Sequence, residues 1–281
     1  MRLLTRSLLA CALAAGAVLS AELPDPKQPE SVVTLPAAIV LAKDPAAAMA
    51  KLPEAMVADA RTKWDAFRAK ADAEFDAKFT EAMTMLTAEG AIDQLMAMAT
   101  PALASYNPAE AAATIQMVGG MMAMGMAQKP DATAEDRAAA ATLQRLMIAV
   151  GAWLPNADFG NPEKLKTALG HLITGAKAMR VADAAALRAL SYQELMARVG
   201  AALPSLKAAL ATYDLQIDAF CRSVKATSAG TGATRTVTAT FTAFGQEFSM
   251  PMTVKQNAAG FWEPEKPMAN PLAGPGAPPT P

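Results

Sequence analysis

Apolar residues recur at three- and four-residue steps from Trp64 through Phe67, Ala71, Phe75, Phe79 and Met83 to Leu86. Arg61, Lys63, Asp65, Arg68, Lys70, Asp72, Glu74 and Asp76 fill the positions between. That period predicts an amphipathic helix with an aromatic stripe turned to a core. It stops short of the sustained heptads of a coiled coil. The same helical grammar runs to about Tyr213, punctuated by start signals. Asp44-Pro45, Asn107-Pro108 and Asn161-Pro162 each set a capping side chain before a proline, whose missing N–H costs nothing at the first helical position. Thr133 with Asp136 approximates a capping box, and Ser191 with Glu194 completes one. Gly90 stands where a helix starting at Pro53 would stop. Five or six helices packed as a bundle-like layer account for residues 44–213.

Beyond Asp214 the period becomes two. Val237, Ala239, Phe241 and Ala243 alternate with Thr236, Thr238, Thr240 and Thr242. Phe248, Met250, Met252 and Val254 alternate with Glu247, Ser249, Thr253 and Lys255. Each run predicts a strand with one apolar face. Gly245-Gln246 and residues 257–260 supply turns, Phe261-Trp262 opens a last strand, and residues 220–227 supply a first. Residues 214–263 thus read as an antiparallel meander of three or four strands. Pro251 cannot donate a ladder bond and predicts an edge, a bulge or an interruption. So small a meander needs cover for its apolar face, and the aromatic-striped helices are the natural cover. The fold class is α+β: an N-terminal helical bundle-like part packed on a C-terminal antiparallel β-meander.

The two ends differ from the body. Arg2 and Arg6 precede an apolar run over residues 8–19 and the small residues Ser20 and Ala21. Residues 1–21 therefore read as a signal peptide cleaved after Ser20 or Ala21. The run is about 12 residues, short of the ~20 a membrane span requires. No later run is long enough, so the mature chain is expected to lack a transmembrane segment. It is expected to be exported, to a periplasm or beyond it. Leu8-Leu9-Ala10-Cys11 has the outline of a lipobox, but the apolar run continues past Cys11, which favours loss of Cys11 with the signal. Residues 22–43, with Pro24, Pro26, Pro29 and Pro36, read as an extended leader. Residues 264–281 hold seven prolines and read as a disordered tail.

Hydrophobic residues make up 53% of the 281, yet aromatics only 5%; the excess is mostly Ala and Met, which suits helices and flexible core filling. The formal charge of −1 becomes −3 once Arg2 and Arg6 leave, so a nucleic-acid partner has no electrostatic support. Cys221 is then the sole thiol and cannot form an intramolecular disulfide. It reads as a small buried residue, with pairing between two molecules as the alternative.

An exported helical segment followed by strands closing on Gly260-Phe261-Trp262 resembles uncharacterised exported proteins of Gram-negative bacteria. Over residues 211–263, about a fifth of the chain, it is similar to small NTF2-like domains through a strand ending in a Gly-x-Trp turn. The resemblance implies an α+β unit and carries over no catalytic residue.

The chemistry on offer is narrow. His171 is the only histidine, so neither a zinc site nor a Ser-His-Asp arrangement is supported, and it reads as structural. Residues 170–177 approach a phosphate loop but lack its Gly-Lys-Ser/Thr ending and its preceding strand. The threonine row of residues 236–242 reads as a solvent face, with a flat binding face as the alternative. Methionine is the unusual feature, with 18 copies. Met117/Met121, Met121/Met124 and Met122/Met126 share helix faces, and thioethers suit Cu(I). Met117, Met121, Met122, Met124 and Met126 are therefore Cu(I) candidates, against the plainer reading of a Met-lined core. The helix over 107–128, with its ridge of Gly119, Ala123 and Ala127, is expected to be buried; a Met-rich surface for apolar partners is the alternative. The function expected is a non-catalytic periplasmic protein that binds an envelope partner or an apolar ligand, through a helix–sheet groove or the Met-rich helix. A periplasmic Cu(I)-binding protein and an enzyme of unknown type are the alternatives. No cofactor and no catalytic residue are implied.

Overall fold

The computed structural model describes residues 23–265. Residues 1–22, which include the expected signal peptide and Cys11, and residues 266–281, most of the expected tail, lie outside them. Eleven helices among the described residues precede a four-stranded sheet. In chain order they are α1 (Ser31–Leu41), α2 (Pro45–Ala50), α3 (Glu54–Ala69), α4 (Ala73–Thr87), α5 (Ala91–Ser105), α6 (Pro108–Ala127), α7 (Ala134–Ala157), α8 (Pro162–Met179), α9 (Ala184–Ala189), α10 (Tyr192–Ala211) and α11 (Ile217–Ser223). The strands are β1 (Lys225–Ala229), β2 (Thr234–Ala243), β3 (Gln246–Gln256) and β4 (Trp262–Pro264). The protein is α+β, with its helices first and its antiparallel sheet last.

The helix starts follow the local chemistry. Asp44, Asn107 and Asn161 each accept backbone N–H bonds from the first turn that follows, with proline in the first turn of the helix. Thr133 and Ser191 form reciprocal capping boxes with Asp136 and Glu194. These side chains satisfy donors that a helix start leaves without partners.

Four expectations are corrected. The aromatic stripe does not lie on one helix. The chain leaves α3 at Lys70 and restarts as α4, because the Asp72 carboxylate accepts from Phe75 N at 3.0 Å and caps a new helix. The rings still stack across the corner, Trp64 to Phe67 at 5.2 Å, Phe67 to Phe75 at 5.2 Å and Phe75 to Phe79 at 5.7 Å. The stripe does not cover the sheet either. It faces α9 and α8, tied by Trp64 Nε1 donating to Leu190 O at 3.0 Å and Arg68 Nε donating to Arg188 O at 2.9 Å. Finally, the proline-rich leader is helical from Ser31, with Pro36 inside α1, because its apolar residues have a surface to cover. Phe220, assigned by period to a first strand, lies on α11.

The sheet is a plain meander in the order β1-β2-β3-β4. The turn from β2 to β3 is Phe244-Gly245, both at positive φ (51° and 73°), the backbone of a tight two-residue hairpin. Val237, Phe248 and Val254 on its apolar face are fully buried. Val32 and Val33 of α1 pack on Val237, Val254 and Trp262, and Phe220 of α11 meets Phe241 edge-on at 5.5 Å.

β4 is too short to pair along the whole of β3, and α7 supplies what is missing. Glu135 accepts from Thr253 N at 2.7 Å and from its hydroxyl. Thr142 Oγ1 donates to Ser249 O at 2.7 Å, and Arg145 Nη2 donates to Glu247 O at 3.1 Å. Pro251 shares the parity of these residues, so its missing donor falls on the edge away from β2. The far end of α7 enters the helical core, where Ala157 packs with Ala168, Ala209 and Tyr213 beside Trp153 and Phe159. α7 is thus the spine joining helices to sheet.

Candidate binding surface

α6 begins where Asn107 Oδ1 accepts from the backbone of Ala109 and Glu110, after which no charged residue occurs until Lys129. One row of small residues, Ala112, Gly119 and Ala123, is buried against α7. The approach is close. A Cβ on Gly119 would lie 2.2 Å from Met147 Cγ, and one on Gly151 would lie 2.4 Å from Gln116 Nε2. Small residues therefore set the spacing of this pair, as the ridge in the sequence suggested.

The methionines point the other way. At 3.6 residues per turn, positions 117, 121 and 124 fall within one stripe roughly opposite Gly119 and Ala123. Met117 is 60% exposed, Met121 53% and Met124 54%. Val118 flanks the stripe and Met122 lies further round the helix; both are also exposed, as is Ile148 of α7. Gly120 and Gly125 stand beside it with open space where a side chain would be. The expectation of a buried central helix is overturned. α6 has extensive contact with α7 alone among the described residues, so its oily outer face meets solvent. Met126, the fifth Cu(I) candidate, is half-buried on the side away from the stripe. The structure therefore groups Met117, Met121 and Met124 and separates them from Met122 and Met126.

The remaining candidates offer less. The junction of helices and sheet is filled by the side chains described above. A cleft of about 300 Å³ opens between α2, α3 and α10, lined by Met49, Leu52, Val57 and Met196. Its charged residues, Arg61 and Glu54, are paired with each other at 2.5 and 3.0 Å. His171 sits half-buried on α8. Cys221 is buried on α11, and burial pushes its thiol pKa up, away from the thiolate that reacts. Among the described residues no three His, Cys, Asp or Glu side chains gather to hold a metal ion. The threonines of β2 line the polar side of the sheet, Thr234, Thr236 and Thr242 exposed. No helix among the described residues is long and apolar enough to cross a membrane.

The sequence missed one polar centre, the knot around Arg188. Its Nε and Nη2 donate to Asp76 Oδ1 at 2.9 and 2.7 Å, and its Nη1 donates to Phe67 O and Lys70 O. The guanidinium lies 4.5 Å from the centre of the Phe67 ring. Each of its three nitrogens is engaged at the α3–α4 corner, so the group holds the fold.

No protein-family model, no curated protein and no solved structure matches the chain.

Proposed function

We propose that this chain is a non-catalytic binding protein of the bacterial envelope, and that the outer face of α6 is where it meets an apolar partner. The observation that carries the proposal is the exposure of Met117, Met121 and Met124 in one stripe of a helix that bears no charge beyond Glu110 in its first turn. Soluble proteins expose scattered apolar residues, whereas a contiguous oily stripe indicates an interaction site. Methionine suits such a site because its unbranched, polarisable side chain adapts to more than one partner shape. The absence of charge between Glu110 and Lys129 favours an apolar segment of an envelope protein over an electrostatically steered partner or an anionic lipid surface. The signal-like residues 1–21 support the compartment.

The test is site-specific photo-crosslinking in the periplasm. A photoreactive residue at 117 or 121 is expected to give a discrete adduct that one at Thr236, on the polar side of the sheet, does not. The adduct should vanish when Met124→Glu puts a charge on the stripe. Equal labelling from 121 and 236, or an adduct indifferent to that charge, would refute the proposal.

A further inference from the structure

We infer that Met117, Met121 and Met124 form a Cu(I) site built from thioethers alone. This goes beyond the partner-binding proposal: it uses the same face but stands with or without a protein partner. The three residues follow one another at steps of four and three along α6, so consecutive sulfurs rise from the same face one turn apart. About 10 Å of helix axis separates the first from the last, with Met121 between them. Each side chain has three rotatable bonds, and none of the three is held in the core, so the arms are free to turn inward on one ion.

Thioether sulfur is a soft, neutral donor that favours Cu(I) over the hard cations taken by carboxylates. Nothing hard competes along the helix, because Glu110 and Lys129 are the nearest charged residues in the sequence. Gly120 and Gly125 leave open space on either side of the stripe, so approach to the sulfurs is unobstructed. Met122 and Met126 share a different side of the helix and do not complete this set. An all-thioether site loses no proton when it binds metal. Its affinity should therefore stay flat between about pH 5 and 8, where imidazole and thiol sites weaken with acid.

The experiment titrates the exported protein with Cu(I) under anaerobic conditions against a coloured Cu(I) chelator, while NMR follows the methionine ε-methyl groups. One Cu(I) per chain is expected, with the methyls of Met117, Met121 and Met124 shifting and those of Met98 and Met122 unmoved. The triple variant Met117→Leu/Met121→Leu/Met124→Leu keeps the oily surface and removes the sulfur. Its affinity should fall at least roughly 100-fold, equivalent to about 2.8 kcal/mol. Met122→Leu/Met126→Leu should bind as the parent does. Unchanged affinity in the triple variant, no binding in the parent, shifts centred on other methionines, or a steep loss of affinity in acid would each overturn the assignment. Because leucine preserves the apolar face, the triple variant should still give the crosslink at a neighbouring position such as Val118. Failure of the metal site and failure of the partner site are thereby read separately.

Discussion

Replacing Arg188 with methionine tests the claim that one side chain fixes the corner between α3 and α4. Arg188 is only 13% exposed, and its partner Asp76 is 33% exposed. Methionine keeps much of the aliphatic volume and removes every donor. Three contributions are lost. The paired bonds to Asp76 are charge-assisted, but that carboxylate regains water, so their loss costs about 1.5 kcal/mol. The bond to Lys70 O costs about 1 kcal/mol, whereas Phe67 O keeps Lys70 N as a donor. The contact with the Phe67 ring contributes about 0.5–1 kcal/mol. The sum is about 3 kcal/mol, and for a body of this size the midpoint of thermal unfolding should drop by roughly 6–12 °C. Arg188→Lys should recover less than half, since a point charge cannot reach the carboxylate and both carbonyls together. The assay is urea and thermal unfolding followed by far-ultraviolet circular dichroism, with a double-mutant cycle against Asp76→Asn. A methionine variant within about 0.5 kcal/mol of the parent, or a lysine variant equal to it, would refute the reasoning.

Adjacent glycines of α6 should respond with opposite signs in urea unfolding. Gly119→Ala forces Met147 aside and should cost about 1–3 kcal/mol, whereas Gly120→Ala enters open space and should stabilise by about 0.5–1 kcal/mol. The Ser228 hydroxyl donates to Glu30 at 2.5 Å and, as the chief cause, holds its carboxyl below the ordinary value of 4.5. The stabilisation from that carboxylate is complete above about 4.5 and is lost as pH falls through the lower folded value. Glu30→Gln should flatten the decline of stability with acid in that range, measured by unfolding at a series of pH values. Glu135→Ala removes the acceptor for Thr253 and should cost about 1–2 kcal/mol, with hydrogen exchange faster at the Thr253 amide and unchanged at Val237.

The amino-acid sequence by itself determined what depends on neighbours a few residues apart. The caps at Asp44, Asn107, Thr133, Asn161 and Ser191 are local hydrogen bonds, and the alternation along β2 and β3 records one face in and one face out. The signal for the break at Asp72 was also local, a capping aspartate with Glu74 and Asp76 in the turn that follows, but the apolar period running across it concealed the corner. Only the tertiary structure decided which surface each face would meet. Arg188 reaches Asp76 across 112 positions, and Glu135 reaches Thr253 across 118, and no periodicity encodes such pairs. The same holds for the candidate site. A helix apolar on all sides reads as buried, because hydropathy reports the tendency to leave water and not whether a partner exists. Among the described residues α6 packs extensively on α7 alone and spends its small residues there; the methionines are left facing out.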